Sequence, residues 1–433
     1  MEEQSKTLTK TVILDCYADK YARRGLKEIE SAYKEMLVEM VEYAVKYKAS
    51  QETLHSVFYE KFREKYPWLP TRVIKGAYRD AVRRAKSFRE RRRKGKVYKD
   101  KPEVRRVTIT YSDSQDWALE GGVIKLRTHG GWVELNYRNH KQLHRYLYSG
   151  WRLASELRLK ILGKKIIAYL SFTRELEASY NPRNTVAVDV NENNVTVALF
   201  KDGALADVYR VETRLGEIVI AYSERRKRIT RGNSTKIRGV RKKLKKLREK
   251  ERKLDILRKT AKFIENLAVE NRAVVVVGNI NEKAKERMEE DANSKLRHRI
   301  HQWSVRKLVE LLDGKPVHVI KVSERGTSSK DPFTGKRINK RFEPLVIRTA
   351  VKGLKKVKVL KIVLRITKVS GRILERDVVG AVNIGLKYLN SNGSPMALGS
   401  TCTHEVWVKL MNPHRGTTPL TEIQIFTNTI KHR

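Results

Sequence analysis

The chain has 433 residues and sets 94 Lys and Arg against 49 Asp and Glu, a formal net charge of +45. That excess goes well beyond what solubility requires and points to a polyanionic partner, with nucleic acid the natural candidate. No window offers the roughly 18 uninterrupted apolar residues of a membrane span, and MEEQSKTLTK lacks an apolar signal region, so a cytoplasmic, nucleoid-associated protein with no membrane partner is expected. Cys16 and Cys402 are too few for a disulfide framework or an all-cysteine metal clamp, which fits a reducing compartment.

Residues 8–16, LTKTVILDC, predict a strand, and the run after it repeats Leu26, Ile29, Tyr33, Leu37, Met40 and Ala44 at helical spacing. Ser50 is placed to cap a second helix and Pro70 to open a third, whose stripe is Val73, Ala77, Ala81, Ala85 and Phe88. From residue 101 or so the period changes. VRRVTITY, GGVIKLRT, WVELNY and KIIAYLSF read as short strands, with HGG at 129–131 closing a hairpin, and together they predict a small β-barrel or half-barrel.

TVAVDV, NENN and VTVALF predict strand, turn and strand, with Val186 and Val188 facing one way and Ala187 and Asp189 the other. Asp189 thus ends an otherwise apolar strand, a costly position without a partner or an ion. Long basic segments follow residue 211 and lead to AVVVVGNI at 273–280, a buried strand that runs out at Gly278 and Asn279 without a reactive group. Residues 323–374 are strand-rich again. ERDVVGAVNIGLKYL reads as a helix opened by Asp377, where a carboxylate suits the exposed amides as well as it would suit an ion. Residues 391–433, rich in Ser, Gly, Thr, Asn and Pro, are expected to form a loosely ordered tail.

RGVRKKLKKLREKERKLDILRKTAKFIENLA is expected to be one helix, with Val240, Leu244, Leu247, Leu254 and Leu257 on one face and Arg241, Lys242, Lys245, Lys246 and Arg248 off it. A solvated helix laced with acid–base pairs would look the same, and the net charge tips the reading towards nucleic acid. Arg83, Arg84, Lys86, Arg89, Arg91, Arg92 and Arg93 are read likewise, as contacts to a phosphate backbone that carry no sequence information. His298 and His301 share a helical face, but no Cys or carboxylate one turn away completes a ligand set, so core or phosphate contacts are expected of them. Most of the six tryptophans are read as core or barrel anchors, with stacking of Trp132 or Trp151 on a base as the alternative.

A strand bearing Asp189, a hairpin, a later buried strand and a helix bearing Asp377 give the layout of a ribonuclease H-like site, where carboxylates gather divalent ions for phosphodiester hydrolysis. The stretches VAVDVNENNVTVALF, LRHRIHQWS, RGTSSKDPFTG and ERDVVGAVNIGL resemble TnpB, the OrfB-type family of bacterial and archaeal insertion sequences and a relative of type V CRISPR effectors. The resemblance spans nearly the whole chain. Its two acidic motifs are specific in order and spacing, and the basic N-terminal half matches in architecture. It implies a mixed α+β and α/β fold: a wedge-like β-barrel with a helical insertion, then a ribonuclease H-like (RuvC) domain. The corresponding boundaries are a first barrel strand over 1–16, the insertion over 17–98, the barrel over 99–180, the RuvC-like domain over 181–322 and 375–390, an interposed module over 323–374 and the tail over 391–433.

The same resemblance implies a guide RNA and a double-stranded DNA target as partners, and magnesium held by three acids. Asp189 and Asp377 match the first and the last of these, and the Glu between them falls on Gly278. With one of three anionic ligands gone, Asp189 and Asp377 would hold magnesium only weakly, and strong cleavage is not expected. Glu282, Glu286 and Glu375 are the candidates to turn into the gap, and Gly278→Glu is expected to restore some metal-dependent cutting. The family's two C-x-x-C elements fall on Asp331, Thr334, Thr367 and Ser370, so no zinc is expected, and good turn chemistry in KDPFTG with a packed hairpin would take its place. The function these features imply is RNA-guided DNA binding by an archaeal-like member with weakened or lost nuclease activity. An active nuclease using a substitute acid, a guide-independent architectural DNA binder and an inert transposon relic are the alternatives.

Overall fold

In a computed structural model of the protein the chain divides between Glu175 and Leu176 into two units, each with its own core. The structure describes residues 6–138, 140–163, 165–176, 180–231, 237–279, 290, 293, 297, 305–352, 357–391, 398, 406–413 and 419–426.

The first unit opens with strand β1 (Lys6–Tyr17), which buries its alternate residues Val12, Leu14 and Cys16. Asp19 caps helix α1 (Lys20–Tyr47) by accepting from the Ala22 amide at 2.6 Å, and the expected stripe from Leu26 to Ala44 is buried. Ser50 caps α2 (Gln51–Lys65), taking the Thr53 amide at 3.2 Å, and Pro70 stands just before the first turn of α3 (Thr71–Arg93).

Gly76, Ala77, Ala81 and Ala85 give α3 a buried face thin enough to lie against both α1 and strand β2 (Ile109–Tyr111). At Gly76 a Cβ would run into the Thr110 carbonyl, 2.9 Å from its carbon. Gly76→Val is therefore expected to lower the free energy of unfolding by about 2–4 kcal/mol in urea denaturation. An unchanged midpoint would mean that α3 can back away from β2.

Strands β3 (Trp117–Glu120), β4 (Val123–Thr128), β5 (Gly131–Tyr137), β6 (Arg152–Leu162) and β7 (Lys165–Leu176) follow, with the short helix α4 (Lys141–Leu147) between β5 and β6. Their sheet has the order β2-β6-β7-β1-β5-β4-β3, and the HGG turn joins β4 to β5 with Thr128 opposite Gly131. The two ends of this sheet approach one another. The Trp117 indole on β3 donates to the Ser155 carbonyl on β6 at 2.7 Å, and the Tyr111 hydroxyl on β2 donates to the Arg127 carbonyl on β4 at 3.2 Å. The result is the nearly closed barrel that the sequence predicted, and closure hides edges that an open sheet would present. Trp117 is buried in this barrel and Trp151 packs on Tyr146, whereas Trp132 is 54% exposed.

The second unit is built on strands β8 (Asn184–Val190), β9 (Asn194–Lys201) and β10 (Ala204–Glu212), an antiparallel meander. Helices α5 (Leu215–Arg231), α6 (Ile237–Lys245) and α7 (Glu249–Glu270) lead to β11 (Ala273–Asn279), and α8 (Val305–Asp313) precedes β12 (Val319–Ser323). β11 runs parallel to β8 and β12 parallel to β11, so the sheet reads β12-β11-β8-β9-β10 across these five strands, a ribonuclease H-like order. Val186, Val188, Val275 and Val277 face the core under α7 and α8, while Ala187, Val274 and Val276 face the other side, as the expected alternation requires.

Three strands, β13 (Glu343–Lys352), β14 (Val357–Val369) and β15 (Arg372–Glu375), form a separate antiparallel sheet, and β15 runs directly into helix α9 (Arg376–Ser391). Beyond it the expected loose tail gives way to structure. Strands β16 (Val406–Met411) and β17 (Pro419–Ile425) extend the large sheet, β16 parallel to β10, because Val406, Val408, Leu410, Ile423 and Ile425 alternate into the core beside α9.

The single basic helix expected over 238–268 is two helices. The chain turns at Lys246–Arg248, with Arg248 in the left-handed region at φ 51°, and Glu249 and Glu251 open α7, where acids meet the exposed amides. Glu249 also pairs with Arg226 on α5, which anchors the new start.

Candidate functional site

Pairing across three strands assembles the site. Thr196 on β9 lies opposite both Asp189 on β8 and Arg210 on β10, so Asp189 and Arg210 share one face of the sheet. That face lies under α9, and Gly380 lets the helix come close: a Cβ there would sit 2.7 Å from Asp189 Oδ2. The NENN turn supplies amides to both expected acids. Asn191 Nδ2 donates to Asp189 at 2.9 Å, and Asn194 Nδ2 donates to Asp377 at 2.9 Å.

Asp377 does not cap α9. Glu375 does, accepting from the Val378 amide at 2.8 Å, and its other oxygen receives Arg210 Nη1 at 3.0 Å. Arg210 Nη1 also donates to Asp377 at 2.6 Å, and its Nε donates to Glu212 at 2.7 Å. These side chains are withdrawn from solvent: 4% exposure for Arg210, 2% for Glu375, 8% for Glu212 and 14% for Asp377. Glu375 is thus committed to the helix and the arginine, and is not the acid that turns into the gap at residue 278. Glu282 and Glu286 lie outside the described residues.

The gap is filled from another direction. Gly278 pairs with Val322 on β12, and two residues further on Glu324 folds back over it, so that a Cβ at 278 would overlap the Glu324 side chain, 2.8 Å from its Cδ. The loop carrying Glu324 is fastened to α9. Lys387 Nζ donates to the carbonyls of Ser323 and Arg325 at 2.8 and 2.9 Å, and Asn383 Nδ2 donates to those of Thr327 and Lys330 at 2.7 Å each. RGTSSK and GAVNIGL, two stretches that carried the resemblance, therefore hold each other.

Electrostatics follow from this packing. Burial lifts the Asp189 carboxyl well above its usual range, and the charges of Asp377 and Glu324 add to it while the Asn191 bond opposes. Burial likewise raises Glu324 to about 7, and one of its oxygens, Oε1, is buried with no hydrogen-bond partner among the described residues. Glu375 rises to about 7 through burial and Asp377, against the pull of Arg210. Arg210 is opposed by burial, but Glu375, Asp377 and Glu212 outweigh that and hold it more firmly protonated than usual.

The magnesium pair implied by the resemblance does not fit these residues. Asp377 and Glu375 are both bonded by the single Arg210 guanidinium, and among the described residues no group of three or more His, Cys, Asp and Glu side chains is arranged to hold a metal ion. The positions matching the missing sulfurs make a turn. Asp331 accepts from the Phe333 amide at 3.0 Å and from the Thr334 hydroxyl at 2.8 Å, Thr367 pairs with Leu374, and Ser370 occupies the β14–β15 turn at φ 49°.

The expected phosphate-binding residues divide by placement. Arg89 donates to the Ala44 carbonyl at the end of α1 at 2.8 Å, and Arg84 pairs with Asp80 at 3.0 Å and bonds the Arg106 carbonyl, so both serve the fold. Arg83, Lys86, Arg91, Arg92 and Arg93 are exposed, Arg83 near Glu156 and Arg92 beside Asp100. Arg241, Lys242, Lys245, Lys246 and Arg248 are exposed on and just after α6. His298 and His301 lie outside the described residues. Sequence reasoning missed a basic groove of about 780 Å³, lined by Lys340, Arg341, Arg365 and Arg376 together with Phe342, that reaches Glu324. The signal for it was the cationic run GKRINKR beside the recognised RGTSSK stretch.

Comparison with known proteins gives the following likenesses. Residues 29–126 match the Uncharacterized protein MJ0013 family. The uncharacterized protein MJ0857 of Methanocaldococcus jannaschii is 27% identical over 239 residues, which cover 50% of this chain and 85% of that protein. A Cas12f1-sgRNA-target DNA complex is similar at a TM-score of 0.44 and 12% identity, over 88% of this chain and 99% of that one. The mini-RNA-guided endonuclease CRISPR-Cas_phi3 is similar at a TM-score of 0.43 and 10% identity, over 90% and 93%.

Proposed function

We propose that this protein binds DNA under the direction of a guide RNA, in the manner of the TnpB family, with its hydrolytic site weakened or lost. The observation that carries the reading is the groove of Lys340, Arg341, Arg365 and Arg376, which reaches Glu324, the acid over Gly278, while Arg210 already bonds Glu375 and Asp377. Cations along such a groove hold phosphates, and Phe342 beside them offers a face for a base. Arg83, Lys86, Arg91, Arg92 and Arg93 and the α6 cations contact further phosphates, while guide pairing supplies sequence choice.

Sequencing the RNA that co-purifies with the protein tests this reading directly. A single abundant species, needed for binding to matched duplex DNA, is expected; duplex binding that survives ribonuclease treatment would identify an architectural DNA binder instead. Replacing Lys340, Arg341, Arg365 and Arg376 with Gln should weaken nucleic-acid binding and flatten its salt dependence by about 0.7–0.9 in log–log slope for each lost phosphate contact. An unaltered slope would remove the groove from the interface.

A working nuclease is the second reading, favoured by the presence of the Glu324 carboxylate over Gly278. Magnesium-dependent cleavage of matched DNA by the purified complex, abolished by Asp189→Ala and by Glu324→Gln, would establish it. No cleavage is expected.

A further inference from the structure

The acids of this cluster already have a positive partner, and it belongs to the fold. Arg210 Nε donates to Glu212 at 2.7 Å, Nη1 to Asp377 at 2.6 Å and to Glu375 at 3.0 Å, and Nη2 to the Val363 carbonyl at 3.3 Å. All three nitrogens are engaged, from β10, the β15–α9 junction and β14, in a side chain that is 4% exposed. A guanidinium is planar, keeps its charge at any physiological pH and presents its donors in a fixed fork, so it is not displaced by losing a proton as a lysine would be. Removing it would leave buried carboxylates uncompensated, and removing them would strand a buried cation. Both sides hold the arrangement in place.

We propose that Arg210 is the resident cation of this cluster, seated between Asp377 and Glu375 where a divalent ion would otherwise be drawn, so that Asp377 is a partner of arginine and not a metal ligand. The inference deepens the reading of a weakened nuclease and rests on it for the identity of the site. It also gives that weakness a cause separate from the loss of an acid at residue 278: the acid that remains on α9 is already spoken for. With Arg210 in place, Asn194 and Asn191 bond Asp377 and Asp189, and the place between Asp377 and Glu375 is taken.

The test is Mn²⁺ binding to the full-length protein by titration calorimetry, with wild type compared to Asp377→Asn, Arg210→Gln and the double variant. Arg210→Gln is expected to bind Mn²⁺ about tenfold or more tightly than wild type, because its carboxylates lose their competing cation, and the gain should vanish when Asp377→Asn is added. Thermal melts supply a second readout: the midpoint of Arg210→Gln should rise on adding Mn²⁺ and that of wild type should not. No gain in affinity for Arg210→Gln would overturn the proposal. Should Arg210→Gln not fold, wild type and Asp377→Asn decide it alone. Equal Mn²⁺ affinities support a non-ligand Asp377, and a loss in Asp377→Asn refutes the proposal. Neither result touches the co-purified RNA, so the nucleic-acid reading stands or falls separately.

Discussion

Gly278→Glu is expected to disrupt the site and not to arm it. The sequence alone points the other way, since it shows a strand ending where an acid is missing. In the folded protein that place is occupied: a side chain at 278 meets the Glu324 side chain, and because Lys387 and Asn383 fasten the surrounding backbone to α9, Glu324 makes room only by turning out of its buried position. The substitution adds bulk to a packed strand and a third acid beside Asp189 and Glu324, both of which burial already makes reluctant to ionise. Overpacking and an unpaired buried charge together should cost about 2–5 kcal/mol, read as a lowered denaturation midpoint, with no magnesium-dependent cutting. Adding Glu324→Ala should recover most of that loss, a coupling that a double-mutant cycle measures. A single variant that melts like wild type and cuts DNA would show that the loop yields, and would restore the simpler view of a vacant ligand position.

Glu324→Gln should stabilise the protein in alkaline solution and leave it unchanged in acid. Burial lifts the Glu324 carboxyl from 4.5 to about 7, so the folded protein holds that proton more tightly than the unfolded chain does. The stability this provides is fully present below pH 4.5 and is lost as the pH rises through about 7. A rise of that size corresponds to about 3 kcal/mol, and glutamine, which never ionises, should recover about 2–3 kcal/mol of it at about pH 8, a gain of several degrees in melting temperature. Asp189, raised in the same direction, keeps part of the pH dependence in the variant. Equal stabilisation at both pH values would mean that Gln packs better, and would remove the charge from the explanation.

Much of this fold could be read from the chain because one period governs each part of it. The stripe of α1, the alternation of Val186, Ala187, Val188 and Asp189, and the turn residues HGG each obey a local rule that the tertiary structure keeps. Arg210 could not be read this way. A bulge between Leu205 and Asp207 shifts the phase of β10, so that Leu205 and Val208 face the same core, and alternation counted from Leu205 puts Arg210 on the wrong side of the sheet. Glu324 was hidden for a different reason. Its nearness to Gly278 depends on the parallel register of β11 with β12, two strands far apart in the chain, and no local pattern records that pairing. β16 and β17 escaped notice because they are short and sit among Ser, Gly, Thr and Pro, a composition that reads as linker until a neighbouring strand edge gives it a partner.

The parallel docking of β16 on β10 sets an order of assembly. Val208 pairs with Val408, so the edge of the strand that carries Arg210 gains its partner only once the chain has been made as far as residues 406–411, and an edge without a partner is open to aggregation until then. The stretch expected to be loosely ordered supplies the last two strands of the sheet.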